Sequence, residues 1–170
     1  MRRRWVGEKG PGGVGEDVRA GLSERDPAQP GGFGQDRMYY FAYASNLNRK
    51  QMLERAPDSK PKFKASLSNY KLAFAGWSRK WHGGVASIKR FKGGRVIGAV
   101  YDISERDLRS LDKHEGYPAT YDRVNVVVRT EDGDPVEAVT YIKRDLSEET
   151  QPSQEYLAII RQGYKDWRIV

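Results

Sequence analysis

Residues 38–48, MYYFAYASNLN, contain the stretch that decides the fold. The apolar and aromatic run at its start predicts a β-strand over about residues 39–44. A polar turn follows, and Asn48 is placed to cap a short helix over 49–56, which Pro57 ends. This succession of strand, turn and helix marks the start of a folded domain, which we assign to residues 38–170.

The preceding residues, 1–37, have a different composition. They hold nine of the 18 glycines and three of the eight prolines, and few apolar side chains. Such a segment buries too little surface to offset the conformational entropy lost on ordering. We expect a disordered or non-native N-terminal extension, with Met38 as the functional start, and the N-terminal mass of protein made from its native gene tests this.

Alternating apolar residues and turn signals place the remaining elements. Ser104 and Asp107 resemble a capping box that opens a helix ending near Gly116, and Ser153 is placed to cap a last amphipathic helix. The residues Lys92-Gly93-Gly94 predict a hairpin turn between two strands. The predicted strands cover residues 68–76, 84–91, 95–103, 121–130 and 136–142. The predicted order, β-α-β-β-β-α-β-β-α, indicates an α+β domain.

Composition excludes several classes of protein. The chain has no cysteine, so disulfides, thiolate nucleophiles and cysteine-based zinc sites are excluded. His82 and His114 lack metal-ligand spacing. No apolar run approaches the roughly 20 residues that span a bilayer, and no secretory signal follows the basic start, so we expect a cytoplasmic protein. The net charge of +7 raises the question of nucleic acid, but the charges are scattered, which favours solvated strand faces.

The loop at 44–48 is the first candidate for chemistry. Backbone N–H groups after a strand that stops at Ala44 and Ser45 could converge on an anion such as a substrate carboxylate. Taken alone, a strand-to-helix turn capped by Ser45, Asn46 or Asn48 explains the segment better.

The second candidate is the segment SLDKHEGYPATY at 110–121. Glu115 lies at the negative end of a helix, which should raise its pKa toward the range useful for general acid–base catalysis. An exposed glutamate before a capping glycine is the alternative. Asp112 shares the helix face with Glu115, so a two-carboxylate hydrolase is a further, weaker alternative. Trp77 and Trp81 are interpreted as core or as the wall of a pocket.

Together these segments resemble the γ-glutamylcyclotransferase family, which includes γ-glutamylamine cyclotransferases and plant avirulence-induced proteins. The segment YFAYASNL at 40–47 is similar to the family's Y-G-S-N-L signature, with Ala44 in place of its glycine. The segment LDKHEGYPATY at 111–121 resembles the one that carries the catalytic glutamate, and VTYIK at 139–143 supplies a family-like tyrosine. WHGGVASI at 81–88 and PSQEY at 152–156 look like the branch in glutathione metabolism.

The resemblance implies a small mixed β-barrel flanked by helices, with the substrate in a cavity at one end. It implies that the α-amine of a small γ-glutamyl substrate attacks its own γ-amide, releasing 5-oxoproline and an amino acid or amine without any cofactor. Glu115 would be the general acid and base. Substrate-binding residues would be of two kinds. Backbone amides would hold the substrate's α-carboxylate or developing oxyanion around Tyr43, Ala44, Ser45, Asn46 and Leu47, and hydroxyls would come from Tyr121 and Tyr141. The resemblance also implies a homodimer. From the composition and the scattered charges we expect neither a membrane nor a nucleic-acid partner.

Two alternatives stay open at the level of sequence. The chain could prefer γ-glutamylamines, including a γ-glutamyl-lysine isopeptide, because the pocket for the leaving group decides that preference. It could also be a non-catalytic member of the same fold that binds a ligand or RNA, since a fold does not guarantee chemistry. If Ala44 needs a positive φ or close contact with the ligand, its methyl group would alter substrate preference.

Overall fold

The computed structural model describes residues 37–170. In this part of the chain, strands and helices follow one another in an α+β arrangement. Their bounds are β1 (Arg37–Ala42), a one-turn 3-10 helix (Ser45–Leu47), α1 (Arg49–Arg55), β2 (Lys60–Ser78), β3 (Gly83–Ser104), α2 (Glu105–Glu115), β4 (Tyr121–Thr130), β5 (Pro135–Lys143) and α3 (Gln154–Asp166). The expectation for residues 1–36 lies outside the described residues, and Arg37 already belongs to β1.

The strands form a closed barrel in the order β1-β3-β2-β4-β5. Neighbouring strands are antiparallel except where β1 and β5 close the barrel in parallel, at Tyr40 and Val139. The barrel is therefore mixed, as the resemblance implied.

The predicted hairpin at Lys92-Gly93-Gly94 is wrong. These residues lie inside β3. Ser68 of β2 pairs with Arg95 and Tyr70 pairs with Arg90, so residues 91–94 of β3 form an irregularity opposite one residue of β2. Gly93 has a positive φ of 81°, and its N–H donates to the side chain of Asn69 at 3.1 Å. A glycine with positive φ suits a bulge as well as a turn. The connection between β2 and β3 is instead at residues 79–82, and β3 is one long strand rather than two.

The helix ends agree with the sequence-based predictions. Asn48 and Ser153 cap α1 and α3 through side-chain acceptors, and Ser104 and Asp107 form a reciprocal capping box at the start of α2. Gly116 ends α2 in the left-handed conformation, with φ of 66°. Each of these signals is local in sequence, since the bonding groups lie within about three residues of one another.

The core consists of two clusters of buried apolar side chains. One includes Phe41, Val100 and Val128, and the other includes Leu47 and Leu111. Both clusters draw on residues next to the loop that follows β1, so this loop starts from a rigid base. None of the helices within residues 37–170 is long and apolar enough to cross a membrane.

Candidate active site

A cavity of about 370 Å³ opens where β1 ends, β4 begins and β5 ends, and the β2–β3 hairpin forms part of its wall. This volume is within the usual range for small-molecule pockets. The cavity brings together seven of the eight residues predicted to be catalytic or substrate-binding. These are Tyr43, Ala44, Ser45, Asn46, Glu115, Tyr121 and Tyr141.

Helix α3 holds the loop after β1 in place. The indole N–H of Trp167 donates to the carbonyl of Leu47 at 3.0 Å, and the amide of Asn48 donates to the carbonyl of Ile159 at 3.3 Å. Gly163 makes this approach possible, because a Cβ there would lie 2.5 Å from the backbone nitrogen of Asn48. The loop geometry therefore depends on a helix more than 100 residues away in sequence.

The one-turn helix leaves two backbone donors available. The amides of Leu47 and Asn48 donate to the carbonyls of Ala44 and Ser45, both at 3.0 Å. The amides of Ser45 and Asn46 have no acceptor within the turn, as expected at a helix start. Ala44 has a φ of −139°, so the conformation that favours glycine is not used at this position.

Leu47 is the predicted site residue that the structure places elsewhere. Its side chain is fully buried in the core, it does not line the cavity, and its amide is bonded to Ala44. The sequence motif does not reveal that Leu47 differs from Ser45 and Asn46. The difference arises because a one-turn helix directs consecutive side chains to different sides. Leu47 thus anchors the loop rather than facing the cavity.

Glu115 is the acidic residue that lines the cavity. It is the last residue of α2, and the left-handed Gly116 turns the chain away immediately behind it. Burial raises the pKa of Glu115 from 4.5 to about 7, and the Arg55 guanidinium opposes this rise only in part. The direction agrees with the sequence-based prediction, and burial is its largest cause. The alternative of a simply exposed glutamate does not describe this position.

Asp112, the other carboxylate of the same helix face, is already engaged. It accepts hydrogen bonds from the hydroxyl of Tyr141 and the guanidinium of Arg123, each at 2.6 Å. It is absent from the cavity lining. The arrangement therefore favours a single proton carrier over the pair of carboxylates that a hydrolase would need.

Tyrosines form much of the cavity wall. The hydroxyl of Tyr43 donates to the carbonyl of Tyr141 at 2.6 Å, and that of Tyr121 donates to the carbonyl of Ala86 at 2.8 Å. Burial is the main cause that raises the pKa of the phenols of Tyr43, Tyr121 and Tyr141 well above 10, and the nearby Glu115 contributes to the rise. They remain neutral at physiological pH, so these phenols build a rigid wall that supplies no competing negative charge.

Sequence reasoning missed Arg55, which lies at the end of α1 and lines the cavity. Its exposed fraction is 9%, and its guanidinium donates to the side-chain oxygen of Asn46 at 3.2 Å. Asn46 in turn donates to the hydroxyl of Tyr40 at 3.0 Å. In sequence, Arg55 looks like a polar position of a short surface helix, and no local signal separates it from Arg49 or Lys50.

Further cations surround the opening. Lys80, Lys113 and Lys143 line the cavity, while Glu115 is its acidic member. Trp77, with 68% of its surface exposed, and Trp81 also line it, as interpreted from the sequence. A positively charged cavity of this kind attracts anionic small molecules. Residues 37–170 contain no group of three or more His, Asp or Glu side chains arranged to hold a metal ion.

Comparisons with known proteins agree on one family. The family model described as "Gamma-glutamyl cyclotransferase, AIG2-like" matches residues 40–168. Gamma-glutamylcyclotransferase from Homo sapiens is 33% identical over 137 residues, which cover 78% of this chain and 72% of that protein. The protein of the same name from Bos taurus is 34% identical over 132 residues, covering 75% and 70%.

Solved structures show the same architecture. A gamma-glutamyl cyclotransferase structure matches with a TM-score of 0.74 and 32% identity, covering 78% of this chain and 80% of that one. An AIG2-like protein from Mus musculus matches with a TM-score of 0.53 and 23% identity over 72% of this chain and 83% of that one, and supports the fold alone. The closed mixed barrel with flanking helices is thus a known architecture.

Proposed function

Because the chain is an enzyme of the gamma-glutamyl cyclotransferase, AIG2-like family, we propose that it releases 5-oxoproline from small γ-glutamyl compounds. The α-amine of the γ-glutamyl group attacks the carbonyl carbon of its own γ-amide. The new C–N bond closes a five-membered ring, and the old C–N bond breaks to release an amino acid or amine. Holding the two reacting groups together within one molecule supplies a large effective molarity, so no protein nucleophile is needed.

The position of Glu115 carries this proposal. A carboxylate whose pKa is raised to about 7 by burial takes up and releases protons efficiently near neutral pH. Glu115 removes a proton from the substrate ammonium so that the amine becomes nucleophilic. It then gives this proton to the leaving nitrogen as the amide bond breaks, and is ionised again. The ring nitrogen loses its second proton to water and the released amine takes one up from water, so the overall proton count is unchanged.

The loop after β1 supplies the complementary part of the site. The amides of Ser45 and Asn46, with no acceptor within their own turn, are donors for the oxygen that becomes negative when the amine attacks. Donors fixed before the reaction stabilise such a charge without reorganisation. The buried tyrosines Tyr43, Tyr121 and Tyr141 shape the wall against which the γ-glutamyl chain is curled.

The donor's leaving group sets the metabolic role. Release of an amino acid from γ-glutamyl amino acids would place the enzyme in cytoplasmic glutathione metabolism, and release of an amine would make it a γ-glutamylamine cyclotransferase. A panel of γ-glutamyl-alanine, γ-glutamyl-ε-lysine and glutathione separates these outcomes, because each product mixture contains 5-oxoproline together with a different second product.

The test compares the wild-type protein with Glu115→Gln. We expect the wild type to release 5-oxoproline from at least one donor, and the variant to lose at least about 100-fold in kcat while still binding the donor. Glu105→Gln is the matched control, since it makes the same change at the exposed first turn of the same helix. Equal 5-oxoproline release by Glu115→Gln and wild type would overturn the role given to Glu115.

A further inference from the structure

Arg55 is a buried cation without an acidic partner among the described residues. The one side-chain hydrogen bond of its guanidinium within residues 37–170 goes to the neutral amide oxygen of Asn46. A guanidinium has five N–H donors, so most of them are unused. No fully buried side-chain nitrogen in this part of the chain lacks a partner, so the unused nitrogens of Arg55 keep some accessible surface.

Such an arrangement is costly unless a ligand completes it. Removing a charge from water is unfavourable, and an opposite charge with good geometry usually compensates for it. Arg55 lies close enough to lower the pKa of Glu115 through space, but the two side chains form no ion pair. The planar guanidinium matches a carboxylate in a bidentate geometry, which a lysine does not. The cavity is therefore built for an incoming carboxylate.

We propose that Arg55 binds the α-carboxylate of the γ-glutamyl group, with Asn46 holding the guanidinium in position. The inference rests on the proposed function, and it assigns to a side chain the carboxylate that every γ-glutamyl donor carries. Arg55 is hydrogen-bonded to Asn46 of the loop after β1, and it lines the same cavity as Glu115. Because the α-carboxylate and α-amine share one carbon, binding the first at Arg55 positions the second for proton transfer to Glu115.

A purely electrostatic role for Arg55 makes a different prediction. If Arg55 only adjusted the charge of Glu115, its removal would shift the pH profile and lower turnover equally for donors with and without an α-carboxylate. If Arg55 binds the α-carboxylate, its removal acts through KM and only on donors that carry this group. Two donors that differ in this one group therefore separate the two roles.

The experiment compares γ-glutamyl-alanine with 4-aminobutanoyl-alanine, which has the same reacting amine and amide but no α-carboxylate. We expect the wild type to prefer γ-glutamyl-alanine by about tenfold to 100-fold in kcat/KM, the value of a charge-assisted carboxylate contact. In Arg55→Met the KM for γ-glutamyl-alanine rises and the preference falls to about threefold or less. Arg109→Met, which removes an exposed arginine from α2, keeps the wild-type preference.

Arg55→Lys is the second variant, and it tests the proposal if Arg55→Met does not fold. It keeps the charge but loses the bidentate geometry, so an intermediate preference is expected. An unchanged preference in Arg55→Met or Arg55→Lys, or equal losses for both donors, would overturn the proposal. A wild-type protein that acts on neither donor would contradict the proposed function instead, whereas a wild type that is active without any preference would contradict only the role of Arg55.

Discussion

Replacing the proton carrier should make the protein more stable while it abolishes catalysis. Glu115 is partly buried among cavity residues, and this burial raises its pKa from 4.5 to about 7. In the unfolded chain the carboxyl group ionises freely, whereas in the folded protein ionisation is opposed. Above pH 7 the ionised side chain therefore destabilises the fold, and Glu115→Gln removes that cost.

The magnitude follows from the two pKa values. They differ by about 2.5, and each pKa unit corresponds to about 1.4 kcal/mol, so the ionised side chain costs at most about 3.5 kcal/mol. Because the folded pKa is raised, this cost is absent below pH 4.5, where the carboxyl group is protonated in both states; it grows as the pH rises from 4.5 to 7 and is complete above 7. Glu115→Gln should match the wild type at low pH and exceed its stability by up to about 3.5 kcal/mol at pH 9.

Urea unfolding of the wild type and the variant at several pH values between 4 and 9 measures this difference directly. Comparing two proteins at each pH cancels the other carboxylates, which titrate alike in both. Glu105→Gln, at a side chain that is 57% exposed, controls for the loss of one negative charge. A difference between wild type and Glu115→Gln that stays constant from pH 4 to 9 would refute the assignment of a raised pKa to Glu115.

Three further results are expected. The kcat/KM of the wild type for γ-glutamyl-alanine should rise with pH and reach half its maximum near pH 7, since Glu115 must be ionised to accept a proton; a midpoint near 4.5 would contradict this. Gly163→Ala should lower the unfolding free energy by about 1–3 kcal/mol in urea titrations, because the new Cβ would collide with the backbone of Asn48; unchanged stability would show that α3 is loosely packed. Asp112→Asn should cost about 1.5–3 kcal/mol in the same assay by weakening charge-assisted bonds, including that from Tyr141; a neutral effect would mean that these bonds contribute little.

The features predicted well from sequence are those decided by nearby residues. The capping box of Ser104 and Asp107 and the left-handed Gly116 depend on groups within one or two helical turns, so the sequence contains all the information they need. The position of Glu115 follows directly from the end of that helix. The loop after β1 was located in the same way, from a strand that meets a polar turn.

The errors arise where distant contacts decide the outcome. Gly93 was placed in a hairpin, yet its positive φ serves an irregularity within β3 that depends on pairing with Asn69 on β2. The sequence predicts that the amide of Leu47 binds the substrate, but that amide donates to the carbonyl of Ala44, and contacts with Trp167 hold the residue in the core. Arg55 was missed because only the folded barrel brings the end of α1 to the cavity. Periodicity and turn residues contain no information about such contacts.

The central claim, that the γ-amide is cleaved by cyclisation, is tested most directly by the fate of solvent oxygen. Wild-type protein is incubated with γ-glutamyl-alanine in water enriched in ¹⁸O, and the products are analysed by mass spectrometry. Cyclisation uses the substrate's own amine, so it predicts 5-oxoproline without solvent oxygen and an equal amount of alanine. Glutamate that carries one ¹⁸O atom would show that water is the nucleophile and would contradict the account.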